Sequence, residues 1–322
     1  MKKIIQSTPG PQGGKSRLGA WFSMVGKDLR VNKSIYALAI PGIIYYIVFH
    51  YFPMYGVTIA FKEYSQKFGI MGSPWVGLVN FRDFFGGIFA WRVIRNTLLI
   101  NFYELLYVFP LPILLAILLN ELRNQTYKRV VQTITYLPHF ISSVVICGMI
   151  VDFVSPNGFI TQFVNMLTGN NYVNLLLQEE FFRTIYVSSD IWQGIGWSSI
   201  IYLAAITGID MELYEAASID GAKKMRQLWH ITLPGIAPTI VTMFILQVGK
   251  MMTLGADKII LLYNPVIYET ADVISSHVYR KGLIDNNPSY SAAVGLFNSV
   301  INCVLVFSAN HVSRKVSGSS LY

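Results

Sequence analysis

Six apolar stretches, each twenty residues or longer, constrain this chain more than any other feature of its sequence. They fall at about Ser34–Ala60, Ile94–Asn120, Val130–Val154, Thr184–Thr207, Ile236–Gly255 and Tyr290–Val312. About 20 apolar residues in a helix cross the roughly 30 Å hydrocarbon core of a bilayer. Backbone polar groups find no water there, so such runs must fold as helices or as a closed barrel. The composition agrees: 13% of the residues are charged and 53% hydrophobic, with a mean hydropathy of +0.46, whereas soluble domains carry about 25% charged residues. The expected fold is all-α and membrane-embedded, with six transmembrane helices. Pro41, Pro53, Pro110, Pro112 and Pro138 lie inside the runs, and membrane helices tolerate proline, so kinks are expected and not interruptions.

Lysine and arginine orient the spans. Segments 1–33, 121–129, 208–235 and 313–322 hold fifteen of them, against eight in the longer set 61–93, 155–183 and 256–289. The positive-inside rule then places both termini in the cytoplasm. The same bias accounts for the net charge of +8 without a nucleic-acid partner. Residues 1–33 read as a basic flexible cytoplasmic arm, 34–312 as the transmembrane domain and 313–322 as a cytoplasmic tail. The loop 155–183 has the pattern of one or two short interfacial helices. Cys147 and Cys303 lie in apolar runs, and neither a disulfide framework nor a metal-ligand spacing is visible. "GPQGGKS" (10–16) resembles a phosphate loop but has Pro9 where the first glycine belongs. No catalytic arrangement is readable.

Between the fourth and fifth runs the chain turns polar: "EAASIDGAKKMRQLWHITLPGI", residues 215–236. Met211–Asp220 predicts a short helix with Met211, Leu213, Tyr214, Ala217 and Ser218 as its mostly apolar stripe. Gly221 permits a turn that a Cβ resists. A second helix over about Ala222–Thr232 carries Met225, Leu228, Trp229 and Thr232 on one face, and Pro234 is expected to end it. Pattern alone leaves two readings: an elbow resting on the membrane surface, or a docking surface.

The letters at fixed spacing separate them. Glu215-Ala216-Ala217, three residues, Gly221, nine residues, then Ile231-x-Leu233-Pro234 resembles the full EAA signature of ABC importer permeases. "WVGLVNFRDFF" (75–85), "RNTLLI" (95–100), "YLPHFIS" (136–142) and "SPNGFI" (155–160) resemble the carbohydrate-uptake class, nearest to its lipo-oligosaccharide and alginate-type branch. The resemblance covers roughly residues 33–312. It implies a permease subunit in the cytoplasmic (inner) membrane of a bacterium, paired with a second homologous permease and two ATP-binding subunits. An extracytoplasmic solute-binding protein would deliver the saccharide. ATP and magnesium would bind the partner ATPase chains, with no cofactor on this one. The elbow between spans 4 and 5 would be a cytoplasmic coupling helix: Glu215 would face a basic residue of the ATPase, and Ala216 and Ala217 would let backbones approach. Gly221 would set the bend, with Ile231, Leu233 and Pro234 completing the signature. The rival reading is a secondary sugar transporter run on an ion gradient, which usually shows paired repeats; no such pairing is visible.

A saccharide pathway needs polar groups to replace water and aromatic faces to stack on sugar rings. In the fourth run Asp190, Gln193 and Trp197 recur on one side, with Gly194 and Gly196 leaving room beside them. The fifth run offers Gln247, Lys250 and Met251, with Met243 a turn earlier. Related sugar permeases line their cavity with the spans flanking the elbow, and the carry-over is by position. Structural alternatives stand beside this: Trp192 and Trp197 as interface or packing residues, and Gln193 and Gln247 as interhelical glue. A lysine mid-span should face a cavity or a partner, so Lys250 either lines the pathway and favours an anionic sugar such as a uronate, or pairs with an acid on another subunit, or snorkels outward. Asp152 is a lesser candidate, and Asn298 and Asn302 read as interhelical hydrogen-bonding residues.

Overall fold

The computed structural model describes residues 28, 31–252 and 255–317. Most of the expected basic arm, and residues 318–322 of the expected tail, lie outside the described residues. The chain divides into two units. The first, Met1–Val57, contains helix α1 (Lys33–Tyr46), continued by a wider turn at Ile47–Tyr51. Tyr45, Tyr46, Phe49 and His50 form a ladder of ring contacts along it, with centroids 5.1–5.7 Å apart.

The second unit, Thr58–Tyr322, holds α2 (Val79–Gly86), α3 (Ala90–Glu121), α4 (Gln125–Phe140), α5 (Ser143–Phe153) and α6 (Phe159–Thr168). It continues with α7 (Glu179–Thr207), α8 (Met211–Ile219), α9 (Lys224–Val248), α10 (Ala256–Leu262), α11 (Ile274–Tyr279) and α12 (Pro288–Ser317). No strand occurs among the described residues. Among the described residues, four helices are long and apolar enough to cross a membrane: Lys33–Phe61, α3, α9 and Pro288–Lys315. The count reaches six if the bent pairs α4–α5 and α7–α8 each form one span.

Prolines shape these helices in two ways. Before Pro53, Pro110 and Pro234 the helix widens so that an amide reaches the carbonyl five residues back: Phe52 to Ile47, Phe109 to Glu104, Leu233 to Leu228. The extra residue relieves the clash between the proline ring and the preceding turn, and the helix continues. Two expectations change here. The third run is interrupted, though after its proline: α4 passes Pro138 in a tight turn, Ile141 is extended, the Ser142 hydroxyl caps α5, and the two helices meet at 100°. Pro234 does not end the helix before it; α9 starts at Lys224 and runs unbroken through Pro234 and Pro238 to Val248.

α9 therefore stops before the end of the fifth apolar run. Lys250 follows its last turn and does not sit mid-helix. The carbonyls left open are taken up by α12, where Asn302 Nδ2 donates to Gly249 O and Asn298 Nδ2 to Met252 O, each at 2.6 Å. The two asparagines were expected to bond between helices; they bond from α12 to the turn that follows α9. The loop after α5 folds as expected into one short helix, α6, and a single turn at Leu175–Leu177.

α7 is the axis of the second unit and packs along the second half of α3. Among the described residues, three apolar clusters hold the unit. One joins Ile100, Cys147, Phe182, Tyr186, Ile259 and Ile267. A second gathers Phe84, Val93, Met252, Ile274 and Val294. The third centres on Ala116, Tyr202, Ile206 and Ile236.

Candidate functional site

The elbow begins where Asp210 caps α8, its carboxylate accepting from the Glu212 amide at 3.0 Å. Gly221 ends it at φ +78°, the left-handed backbone that glycine adopts without strain. The Ala222 amide then closes back on Ala217 O at 2.8 Å. Polar side chains staple α8 to the start of α9. Gln227, buried, donates to Ser218 Oγ (2.8 Å) and Ala222 O (3.2 Å), and the Tyr214 and buried Thr232 hydroxyls lie 3.0 Å apart. Ile209 fills the space beside Gly235, where a Cβ would meet its side chain at 2.7 Å.

The outer face is the reverse of a soluble surface. Met211, Leu213, Ile219, Met225 and Trp229 are exposed, Ile219 by 87%. Among them Glu215 and Ala216 lie exposed, with Ala217, Ile231 and Leu233 half-buried and Pro234 exposed. Neither a hydrogen bond nor an ion pair engages the Glu215 carboxylate among the described residues. A cavity of about 910 Å³ opens here, bounded by Glu215, Tyr214 and Ser218 of the elbow and by Glu121 to Arg123 after α3. Lys224 pairs with Glu121 across its edge at 3.1 Å.

The second candidate is a cavity of about 370 Å³ between α3, α7 and α9. Trp197, Gln247, Lys250, Met243, Tyr202 and Phe109 line it, so three of the six expected pathway residues come together. Gln193, Gly194 and Met251 are not in its wall. Gln193 Nε2 is directed at the free carbonyl of Ile141, 3.5 Å away at the α4–α5 break, the interhelical alternative.

Two glycines expected to leave room differ: Gly194 faces open space, whereas α4 backbone fills the space beside Gly196. Asp190 does not join the cavity either. It is ion-paired with Lys258 of α10, which is buried and also lies 5.1 Å from the Tyr186 ring. Sequence reasoning missed this lysine because it falls where a loop was expected. It also missed the partners of Trp197: His139 stacks flat on the indole (4.6 Å, 5°) and Phe140 meets it edge-on. Both belong to the quoted "YLPHFIS", so the signal was in view without its meaning.

A charged cluster joins α3 to the segment around α11. Asp272, fully buried, accepts from Arg280 (2.6 Å), Arg92 (3.3 Å) and Ser276 Oγ (2.8 Å). Arg95 pairs with Glu269 at 2.8 Å. His277 is buried next to this group, and burial pushes its imidazole down to about 4, so it stays neutral near pH 7. Its Nε2 lies 3.0 Å from Tyr290 OH. No metal-ligand grouping occurs among the described residues.

Residues 85–318 match the model of the family described as binding-protein-dependent transport system inner membrane component. The chain is 41% identical to Protein LplB of Bacillus subtilis (strain 168), over 94% of each chain. It is 42% identical to that organism's polygalacturonan/rhamnogalacturonan transport system permease protein YteP, over 90% of this chain and 91% of the relative. Its fold superimposes with a TM-score of 0.84 on a chain of the bacterial alginate ABC transporter crystallised with an alginate pentasaccharide-bound periplasmic protein. That chain is 41% identical, with 92% of this chain and 99% of the other covered.

Proposed function

We propose, on the premise that this chain belongs to the binding-protein-dependent transport system inner membrane components, that it forms half of the pathway through which an ATP-driven importer takes up an acidic oligo- or polysaccharide. It is a transport subunit of a carbohydrate-uptake ABC importer and not an enzyme. In our reading both termini face the cytoplasm of a bacterium. A second homologous permease completes the pathway, two ATP-binding subunits with ATP and magnesium drive it, and an extracytoplasmic binding protein delivers the sugar. The family favours this over coupling to an ion gradient.

The observation that carries the coupling role is the inverted surface of the elbow. Met211, Leu213, Ile219 and Trp229 are exposed along the elbow, and Met211 and Ile219 line a cavity with the unengaged Glu215, an arrangement that needs a partner to cover it. A push on α8 reaches α9 through the Gln227–Ser218 and Tyr214–Thr232 bonds, and α9 with α7 bounds the inner cavity. Closure of the ATPase dimer would thereby rock the walls of the pathway. The uronate preference draws on Lys250 in that cavity and on the acidic polymers named for YteP and the alginate transporter.

Co-purification tests the coupling. This chain, tagged and expressed with its partner permease and ATP-binding subunits, is expected to retain the ATPase in detergent. Glu215→Lys reverses the charge offered, and Gly221→Val forces a β-branched residue to φ +78°, a strain of roughly 1–2 kcal/mol. Both are expected to lose or weaken the ATPase and abolish uptake while still inserting. Full retention and uptake in both variants would remove the elbow from the drive.

A further inference from the structure

A second cavity of about 480 Å³ opens in the same seam between α3 and α7, nearer their outer ends. Tyr103 and Tyr107 wall it from α3, one helical turn apart, with ring centroids 6.4 Å apart and planes tilted by 32°. Glu180, Arg183, Thr184 and Ser188 wall it from α7. The spacing of these four puts them on one helix face. Aromatic faces beside a guanidinium and two exposed hydroxyls make a surface for an acidic sugar: C–H faces stack on rings, hydroxyls meet hydroxyls, and a carboxylate meets the planar fork.

Arg183 is held for that task. Its Nη2 donates to Asn96 Oδ1 at 2.9 Å. Asn96 is fully buried and fixed by its own donations to Glu269 O (2.9 Å) and Asp272 O (3.0 Å). The neighbouring arginines 92, 95 and 280 share the two carboxylates of Glu269 and Asp272. No carboxylate pairs with Arg183 among the described residues, and its Nε is buried without a partner. At the rim, Glu180 is engaged by Tyr172 OH at 3.1 Å.

The two cavities lie in series. On α3, Tyr107 borders the outer one while Val108 and Phe109 border the inner; on α7, Ile191 and Trp197 mark the corresponding edges. Arg183 and Trp197 stand about 21 Å apart along the helix axis at 1.5 Å per residue, more than one sugar ring spans. We propose that the outer cavity is a saccharide subsite selective for uronate residues. Arg183 reads the carboxylate and Tyr103 and Tyr107 form the stacking platform, so that an oligosaccharide engages both cavities in line.

This subsite rests on the importer reading above, and its test separates the two. The complete importer, with partner permease, ATP-binding subunits and binding protein, is reconstituted in vesicles. ATP-dependent uptake is measured at saturating binding protein for galacturonate and mannuronate tetrasaccharides and for their carboxyl-reduced, neutral counterparts. Arg183→Gln is expected to slow uronate uptake about tenfold, the scale of one charged hydrogen bond, and to leave the neutral sugars unchanged. Arg183→Lys should fall between. Tyr107→Ala should slow both classes equally, since stacking does not read charge. Equal loss of both classes in Arg183→Gln, or no loss, would overturn the subsite. Wild-type uptake of neutral sugars alone would overturn it and leave the importer standing. Uptake of neither class by the wild type would overturn the acidic-saccharide reading itself and the subsite with it.

Discussion

Gly196 sits where α7 crosses α4, and a single methyl group there has a computable consequence. A Cβ built on Gly196 would lie 2.1 Å from Thr135 O and 2.3 Å from Thr135 C, both backbone atoms that no rotamer change can move aside. Restoring even a tight contact beyond 3.0 Å requires α4 to retreat by roughly 1 Å, an overpacking cost of about 1–3 kcal/mol. The same retreat pulls on the next residue: the His139–Trp197 stack, with centroids 4.6 Å apart and planes 5° from parallel, joins the two helices at the edge of the inner cavity. Gly194, one residue before Ile195, has nothing within 4 Å of its would-be Cβ. Gly194→Ala is therefore a control in the same helix, with only the favourable change in helix propensity, up to about 1 kcal/mol. Thermal unfolding of the assembled importer in detergent should place Gly196→Ala several degrees below the wild type and Gly194→Ala at or above it. Uptake should fall in the first alone. Equal melting of the two variants would refute the packing argument, because α4 would then have yielded at no cost.

Lys250→Ala should weaken uptake of acidic sugars more than neutral ones; equal effects on both would make Lys250 structural. Asp272→Asn leaves Arg92 and Arg280 without their shared buried carboxylate, so a loss of about 3–5 kcal/mol is expected, read as a large drop in melting temperature or in the yield of folded protein. His277 titrates in the folded protein at about 4 and unfolded near 6.5, so the unfolded state binds the proton first as pH falls. Stability should be flat above pH 6.5 and decline by up to about 3 kcal/mol between 6.5 and 4. Melting temperatures across that window, compared with His277→Gln, should show the decline in the wild type and a smaller one in the variant.

What could be read without the fold was whatever depends on order along the chain. Run length and hydropathy require membrane-spanning helices because unpaired amides are too costly in hydrocarbon. The EAA spacing marks an elbow because Gly221 alone, in its neighbourhood, accepts φ +78°. Asn298 and Asn302, one turn apart, were legible as interhelical donors, though not that they answer open carbonyls at Gly249 and Met252. Other features depended on which helix lies beside which. Run length and hydropathy did not reveal that the third run breaks at Ile141 and Ser142, whereas the chain continues through Pro110 and Pro234 by way of widened turns. The space beside Gly196 is taken by the Thr135 backbone, 61 residues away in sequence, and Asp190 finds Lys258 68 residues further on. The pairing of Tyr103 and Tyr107 with Arg183 exists only because α3 and α7 share a seam. Sequence alone determined that this chain is built of membrane-length apolar helices and turns at Gly221 between its fourth and fifth runs, because hydrophobicity and turn chemistry act locally. Tertiary structure decided which polar groups line a cavity and which face each other, because charge pairing and close packing act between elements distant in the chain.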